Sequence, residues 1–158
     1  MEKYKIRTDL SKVVNDVTLY RIEALADLKH AKKGELGGYI QNEKNLSQFG
    51  DAWVSGDAWV SGDAEVCGNA WVCGDAWVCG NAKVCNDSDY FVTKNIWSSG
   101  RYFTYTRSNR KWRVGCFCGT GEELIAKANK DSEVSGREYK RIVEYVEAMY
   151  AALENDKK

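Results

Sequence analysis

From Gly50 to Cys85 the chain repeats one six-residue unit six times without a break: GDAWVS, GDAWVS, GDAEVC, GNAWVC, GDAWVC, GNAKVC. A hexapeptide period is the signature of a β-helical solenoid, because one such unit cannot bury its apolar side without neighbours above and below it. A disordered tract has no need of Val at every sixth position, so the regularity speaks for stacked strands. Val54, Val60, Val66, Val72, Val78 and Val84 are β-branched, suit short strands, and form the inward column. Ala52 and its equivalents also point inward, near a corner where only a small side chain fits. Gly followed by Asp or Asn makes the corner, since both tolerate positive φ. Alternation then turns the residues on either side of each Val outward, the Trp/Glu/Lys position before it and the Ser/Cys position after it.

An internal check sets the size of the turn. With three units per turn, residues 18 apart stack about 4.8 Å from one another. Trp53 then lies next to Trp71, Trp59 next to Trp77, and Glu65 next to Lys83. The two charged exceptions at the Trp position are of opposite sign and share one face, which favours three units over two or four.

The pattern Val-x-Gly-Asp/Asn-Ala-x resembles the hexapeptide repeat of left-handed β-helices. The upstream residues Gly37-Gly38-Tyr39-Ile40, Asn45-Leu46-Ser47-Gln48 and Gly50-Asp51-Ala52-Trp53-Val54 are similar to the opening of the YdcK-like family of transferase type. They are closer still to small phage and prophage proteins with GNAWVYGNA-type repeats. Trp97–Phe103 and Gly115–Gly121 resemble the core of the short carboxy-terminal domain of that phage group. The resemblance implies a mainly β fold: a short left-handed β-helix of about two regular coils, with an N-terminal cap and a small α+β C-terminal domain. The expected divisions are 1–49 for the cap and a degenerate first coil, 50–89 for the repeat, and 90–158 for a hairpin plus two helices. Strands are expected at Lys3–Arg7, Val17–Leu25, Tyr102–Thr106 and Lys111–Cys118. Capping boxes at Thr120/Glu123 and Ser135/Glu138 predict helices near Glu122–Asn129 and from Ser135 to about Leu153.

The wider composition excludes several function classes. Lys plus Arg and Asp plus Glu both total 23, so the chain lacks the general basicity of a histone-like binder. No apolar run approaches the roughly 18 residues of a membrane span, and MEKYKIRTDL has no signal-peptide core. A bacterial cytosol is the expected location. Enzymes of the left-handed β-helix class typically use a His base, and the single histidine, His30, lies in the cap in a Lys-rich loop. No catalytic residue, metal or cofactor is therefore expected, and an acyl- or nucleotidyl-transferase is the alternative reading. Cys67, Cys73, Cys79 and Cys85 recur every six residues, a spacing unlike a zinc motif. They read as small outward fillers; Cys67 and Cys85 share a face, but a reducing cytosol argues against a disulfide.

Charge is unevenly placed. Residues 46–85 carry 1 basic and 5 acidic groups, whereas residues 94–113 hold Lys94, Arg101, Arg107, Arg110, Lys111 and Arg113 with no acid. These cations are interleaved with aromatic residues, and arginine beside an aromatic ring suits a phosphate plus a stacked base. Arg101, Tyr105, Arg107, Arg110, Lys111, Trp112 and Arg113 are the expected contact residues for a bacterial host protein or a nucleotide. An ordinary hairpin, aromatic on one face and cationic on the other, fits the alternation equally well. Four outward indoles, Trp53, Trp59, Trp71 and Trp77, would form a bare apolar patch, so a homo-oligomer joined through them is expected. Together with the phage resemblance, these features suggest a non-enzymatic accessory binding protein, such as one that blocks a bacterial defence complex or captures its nucleotide signal.

Overall fold

The computed structural model describes residues 2–156. A hairpin comes first, β1 (Tyr4–Val14) and β2 (Val17–Ala24), closed by Asn15 and Asp16 at φ 49° and 66°. A two-residue loop with both φ positive follows the natural twist of a hairpin, and Asn and Asp are the non-glycine residues that accept it most readily. β3 (Leu36–Ile40) pairs antiparallel with β2. The repeat supplies six strands of two residues each: β4 (Trp53–Val54), β5 (Trp59–Val60), β6 (Glu65–Val66), β7 (Trp71–Val72), β8 (Trp77–Val78) and β9 (Lys83–Val84). Then β10 (Tyr90–Lys94), β11 (Tyr102–Thr106), β12 (Lys111–Val114) and β13 (Phe117–Gly119) form an antiparallel sheet in chain order. α1 (Gly121–Asp131) and α2 (Glu133–Asp156) end the described chain.

This is a mixed α/β architecture, which overturns the expected class. Among the described residues, thirteen strands are spread over four small sheets, with two helices, and no left-handed β-helix is indicated. The repeat contributes only 12 strand residues, against 19 in the β1–β2 hairpin and 17 in the C-terminal sheet, while the helices hold 35. The largest sheet, β1-β2-β3-β5-β8, is antiparallel for its first three strands and parallel only beyond them. The local signal in 36 residues is strong, but the longer pairings lie outside it.

Within the repeat, pairing is parallel and joins positions 18 apart: Trp53 with Trp71, Trp59 with Trp77, Glu65 with Lys83. Successive units enter three different sheets in turn, so the segment lies in two tiers, residues 50–67 and 68–85. The Val and Ala side chains of both tiers are at most 1% exposed and share one core with Tyr4, Ile22, Ile40 and Leu46. Each corner glycine is left-handed, as at Gly56 (φ 64°) and Gly62 (φ 65°). Gly37 and Gly38 in β3 serve closeness instead: a Cβ there would stand 2.6 Å from the Val54 carbonyl and 2.5 Å from that of Ala58. β3 can lie against the first tier only because neither residue has a side chain.

A tier leaves one row of carbonyls and one row of N–H groups without tier partners, and buried backbone groups must find others. Between tiers the pairing is regular: the N–H groups of Trp53, Trp59 and Glu65 donate to the carbonyls of Ala70, Ala76 and Ala82. On the open side of the first tier, the equivalent carbonyls accept from the cap. Lys3 Nζ donates to Ala52 (2.7 Å), the Tyr39 N–H to Ala58 (3.0 Å), and Asn45 Nδ2 to Ala64 (2.8 Å). On the far side, Trp71, Trp77 and Lys83 present the equivalent N–H groups. They donate to Asp87 Oδ1 (2.7 Å), Thr104 Oγ1 (2.9 Å) and Ser108 Oγ (2.7 Å). Side chains from both termini thus finish the strand ladder of the repeat.

The C-terminal part departs from expectation in three places. Tyr90 does not simply end the period; it opens β10. The strand expected over Lys111–Cys118 breaks at Gly115 (φ 56°) into β12 and β13, turning a hairpin into a meander. Thr120 caps α1 as expected, its hydroxyl accepting from the Glu123 N–H at 3.2 Å. Ser135, by contrast, lies inside α2, and the Ser132 hydroxyl accepts from its N–H at 3.0 Å. The second capping box is passed over because Ser132 offers a cap one turn earlier.

Two outcomes follow from the capped ends. Thr104 is buried, so Thr104→Val orphans the Trp77 N–H and should cost about 1–3 kcal/mol in urea unfolding; Ser108→Ala, whose donor is exposed to water, should cost less. Lys3 is held at a pKa of about 8, lowered by burial and only partly restored by the Asp51 carboxylate. Between that value and its ordinary 10.5, the folded state binds fewer protons than the unfolded, so this group's contribution to stability rises with pH. The stability difference, wild type minus Lys3→Met, should be flat below about pH 8 and grow in favour of the wild type towards pH 10. A difference that shrinks over that range contradicts the assignment.

Candidate functional site: the Arg107–Arg110 turn and its flanking clefts

Alternation in β11 and β12 gives the C-terminal sheet two unlike faces. Register places Tyr105 opposite Trp112 and Phe103 opposite Val114, and this face packs beneath α2 with Val143, Val146 and Tyr150. Thr104 stands opposite Arg113 and Thr106 opposite Lys111, and this second face turns toward the repeat. The turn between the strands, Arg107-Ser108-Asn109-Arg110, reaches the far side of the second tier. There Asn109 Nδ2 donates to Asn81 Oδ1 at 3.2 Å, alongside the Ser108 cap on Lys83.

Two clefts meet at this turn. One of about 370 Å³ is lined by Tyr105, Arg107, Arg110, Glu122, Glu147 and Glu154 among others. Its neighbour, about 400 Å³, is lined by Lys83, Asp89, Arg107, Ser108, Arg110 and Glu154 with Cys85. The first holds two arginines against three glutamates; the second holds three cations against two carboxylates. The positive side is therefore the rim next to the repeat, not the deeper cleft under α2.

The two arginines differ in state. The Arg107 side chain is only 16% exposed; its Nη1 lies 4.0 Å from Asp89 and its Nε 3.8 Å from Glu154. Its guanidinium also sits 5.4 Å from the Tyr150 ring centre. Arg110 is exposed, has no ion-pair partner among the described residues, and holds φ 54°. A side chain in the left-handed region costs about 1–2 kcal/mol that glycine would avoid. Arg110 is thus an exposed cation between two clefts, held in a backbone region that disfavours a side chain.

The other expected contact residues separate. Tyr105 and Trp112 are 3% and 0% exposed, with ring centres 4.8 Å apart and Tyr150 at 5.3 Å from Tyr105. Neither can stack on a base, because the strand alternation turns both into the core; burial and the Glu147 carboxylate also push the Tyr105 hydroxyl pKa upward. This corrects the nucleotide-stacking expectation. Arg113 faces inward, 5.5 Å from the Trp77 ring centre and 3.8 Å from Cys79 Sγ. Lys111 is half-buried beside Thr106. Arg101 lies at the opposite end of the sheet, where a separate cleft of about 370 Å³ also includes Ser99, Cys116, Lys127 and Tyr139.

The proposed tryptophan interface is corrected in the same way. Trp53 and Trp59 are 1% and 4% exposed, covered by the chain itself, and Trp53 belongs to the same core as the valines. Tyr4 meets Trp53 edge-on at 6.4 Å, while Trp77 and Lys12 flank Trp59. Trp77 is half-buried beneath the C-terminal sheet; only Trp71, at 39%, remains open, with His30 stacked on it at 4.5 Å. The termini thus provide the cover for which a second copy was expected. Cys67 and Cys85 also differ from the filler reading, being joined as a disulfide with Cα atoms 4.5 Å apart. No helix among the described residues is long and apolar enough to cross a membrane. No family model matches this chain, and no curated protein matches it.

Residues that sequence reasoning passed over include Lys83, Asp89 and Glu154, which share the rim with the arginines but lie in three distant segments. Only the 18-residue period, which brings Lys83 to the far tier, gave any sign of them. The contrast between the two arginines is measurable. Arg110→Gly should leave stability unchanged or raise it by up to about 1 kcal/mol, through relief of the left-handed backbone. Arg107→Gln should lower it by about 1–3 kcal/mol, since Asp89 and Glu154 lose their counter-charge. Equal losses in chemical denaturation would show that the two positions are alike.

Proposed function

We propose that this chain is a non-enzymatic binding protein whose contact surface is the cationic rim carrying Lys83 and Arg110, and whose partner is a protein with an acidic surface. The supporting observation is Arg110, an exposed and unpaired cation held in a backbone conformation that disfavours it. The clefts favour a protein over a nucleotide. The Tyr105 and Trp112 rings are buried, and the deeper cleft carries more carboxylates than guanidiniums. The likeness of the repeat to phage and prophage proteins directs the proposal to a host target, such as a defence complex in the bacterial cytosol.

The test compares capture by the tagged full-length chain with capture by a Lys83→Gln/Arg110→Glu variant. Both positions are exposed, so the melting temperature should move by no more than a few degrees. The partner captured from bacterial lysate should bind at least tenfold more weakly to the variant, and wild-type binding should fall steeply as salt rises. Arg107 is left intact, because a carboxylate there would face Asp89 and Glu154 and confound binding with folding. Equal capture by both chains defeats the proposal. Thermal protection by cyclic or ADP-ribose nucleotides that survives the double substitution defeats it as well.

A further inference from the structure

The second face of the C-terminal sheet holds a pair of thiols that the binding surface does not use. Cys79, at the Ser/Cys position of the fifth repeat unit, and Cys118, in β13, bring their sulfurs to 3.8 Å across the junction between repeat and sheet. Arg113, register partner of Cys118 in β12, lies beside the pair and places Nη1 3.8 Å from Cys79 Sγ. Its Nε is buried without a hydrogen-bond partner, so the guanidinium has unused donor capacity at this point. Cys118 is exposed, whereas Cys79 is half-buried behind it.

We propose that Cys79 and Cys118 form a redox-active dithiol site, with Cys118 as the attacking thiol and Cys79 as the resolving thiol, whose oxidant is a low-molecular-weight disulfide of the glutathione class. Three features support the order of events. Only Cys118 is open to an incoming reagent. Arg113 and Lys111 supply positive charge that favours a thiolate over a thiol and attracts an anionic disulfide. The two sulfurs need to approach by less than 2 Å to reach bonding distance, about 2.04 Å.

The environment divides the two thiols in the same sense. A hydrogen bond from Cys79 is the largest influence on Cys118 and, with Arg113 and Lys111, draws its pKa down to about 6. Cys79 is pushed upward, first by that shared hydrogen bond and then by burial. A thiolate at Cys118 and a protonated Cys79 are the starting states that the sequence of steps requires.

The steps balance. The Cys118 thiolate attacks one sulfur of the disulfide; a Cys118–S–S–R bond forms, the R–S–S–R bond breaks, and one thiolate leaves and takes up a proton. Cys79 then loses its proton to water, its thiolate attacks the Cys118 sulfur, and the second thiolate leaves. Two cysteines are oxidised by two electrons and one disulfide is reduced to two thiols. The product joins residues 79 and 118, so the bond fastens the C-terminal sheet to the second tier of the repeat. That sheet carries Thr104 and Ser108, which cap the tier.

The experiment uses full-length protein carrying Cys73→Ser and Cys116→Ser, which leaves Cys79 and Cys118 as the free thiols. Incubation with oxidised glutathione at pH 7 should remove both titratable thiols, lower the intact mass by about two hydrogens with no adduct retained, and yield a peptide cross-linked between the two positions. The oxidised form should melt several degrees higher, since the bond closes a loop of about 40 residues. Arg113→Met should slow the first step several-fold at pH 7 and move the midpoint of its pH profile up, towards the ordinary thiol value of about 8.5. Two surviving thiols overturn the proposal. So does a glutathione adduct that persists on Cys118, since it would mean that Cys79 does not resolve it. Reaction at an unchanged rate in Arg113→Met removes the assigned role of the guanidinium. None of these readouts depends on partner capture.

Discussion

Parallel strands stacked in tiers always leave two open rows of backbone groups, and the whole molecule is arranged around closing them. A carbonyl or N–H buried without a partner costs about 1–3 kcal/mol, and each tier presents three of either kind at the alanine and tryptophan positions. Two tiers are too few to dilute that cost over a long stack. The chain meets it with side chains rather than further repeats: Lys3 and Asn45 on one side, Asp87, Thr104 and Ser108 on the other.

The caps decide where everything else lies. Thr104 and Ser108 can reach Trp77 and Lys83 only if β11 and the turn after it lie flat against the second tier. One face of the C-terminal sheet must therefore be polar, and the aromatic face must turn away from the repeat. Phe103, Tyr105 and Trp112 then need their own cover, which α2 provides through Val143, Val146 and Tyr150. The two hydrophobic clusters follow from this: one inside the tiers and cap, the other between sheet and helices. The Arg107–Arg110 turn projects where sheet, tier and helix end converge, which is why the clefts gather there.

Legibility followed the range of the interactions. The repeat, its inward valines and alanines, and the 18-residue register were readable, because each depends on neighbours at a fixed spacing. The overall class was not. A hexapeptide period reports nothing about the strands outside it, and those strands carry most of the pairing. Tyr90 was read as the end of a period because its role as the first residue of β10 depends on Thr106, 16 residues later. The cations were legible as a cluster, but their separation was not: Arg113 turns inward because it is two residues from Lys111 on the same face. The tryptophans failed for a related reason. Alternation turned Trp53 and Trp59 outward into solvent, but it could not show that Tyr4 and β3 would cover them.

Charge explains why the basic stretch lies against the repeat. Residues 46–85 carry 1 basic and 5 acidic groups, and the sheet that docks on them comes from the most cationic stretch of the chain. Opposite signs across that junction favour docking, and they commit part of the charge to it. Arg113 is held over Trp77, and Arg101 lies with Asp75 along one cleft. Arg107 is committed in the other direction, between Asp89 and Glu154. Arg113 and Arg107 each have a structural reason for their position that would hold even if the protein bound nothing. Arg110 has none. It caps no strand, pairs with no carboxylate among the described residues, and occupies a backbone conformation that glycine would hold with less strain. A residue with a conformational cost and no internal partner is where the proposed contact surface is told apart from the scaffold beneath it.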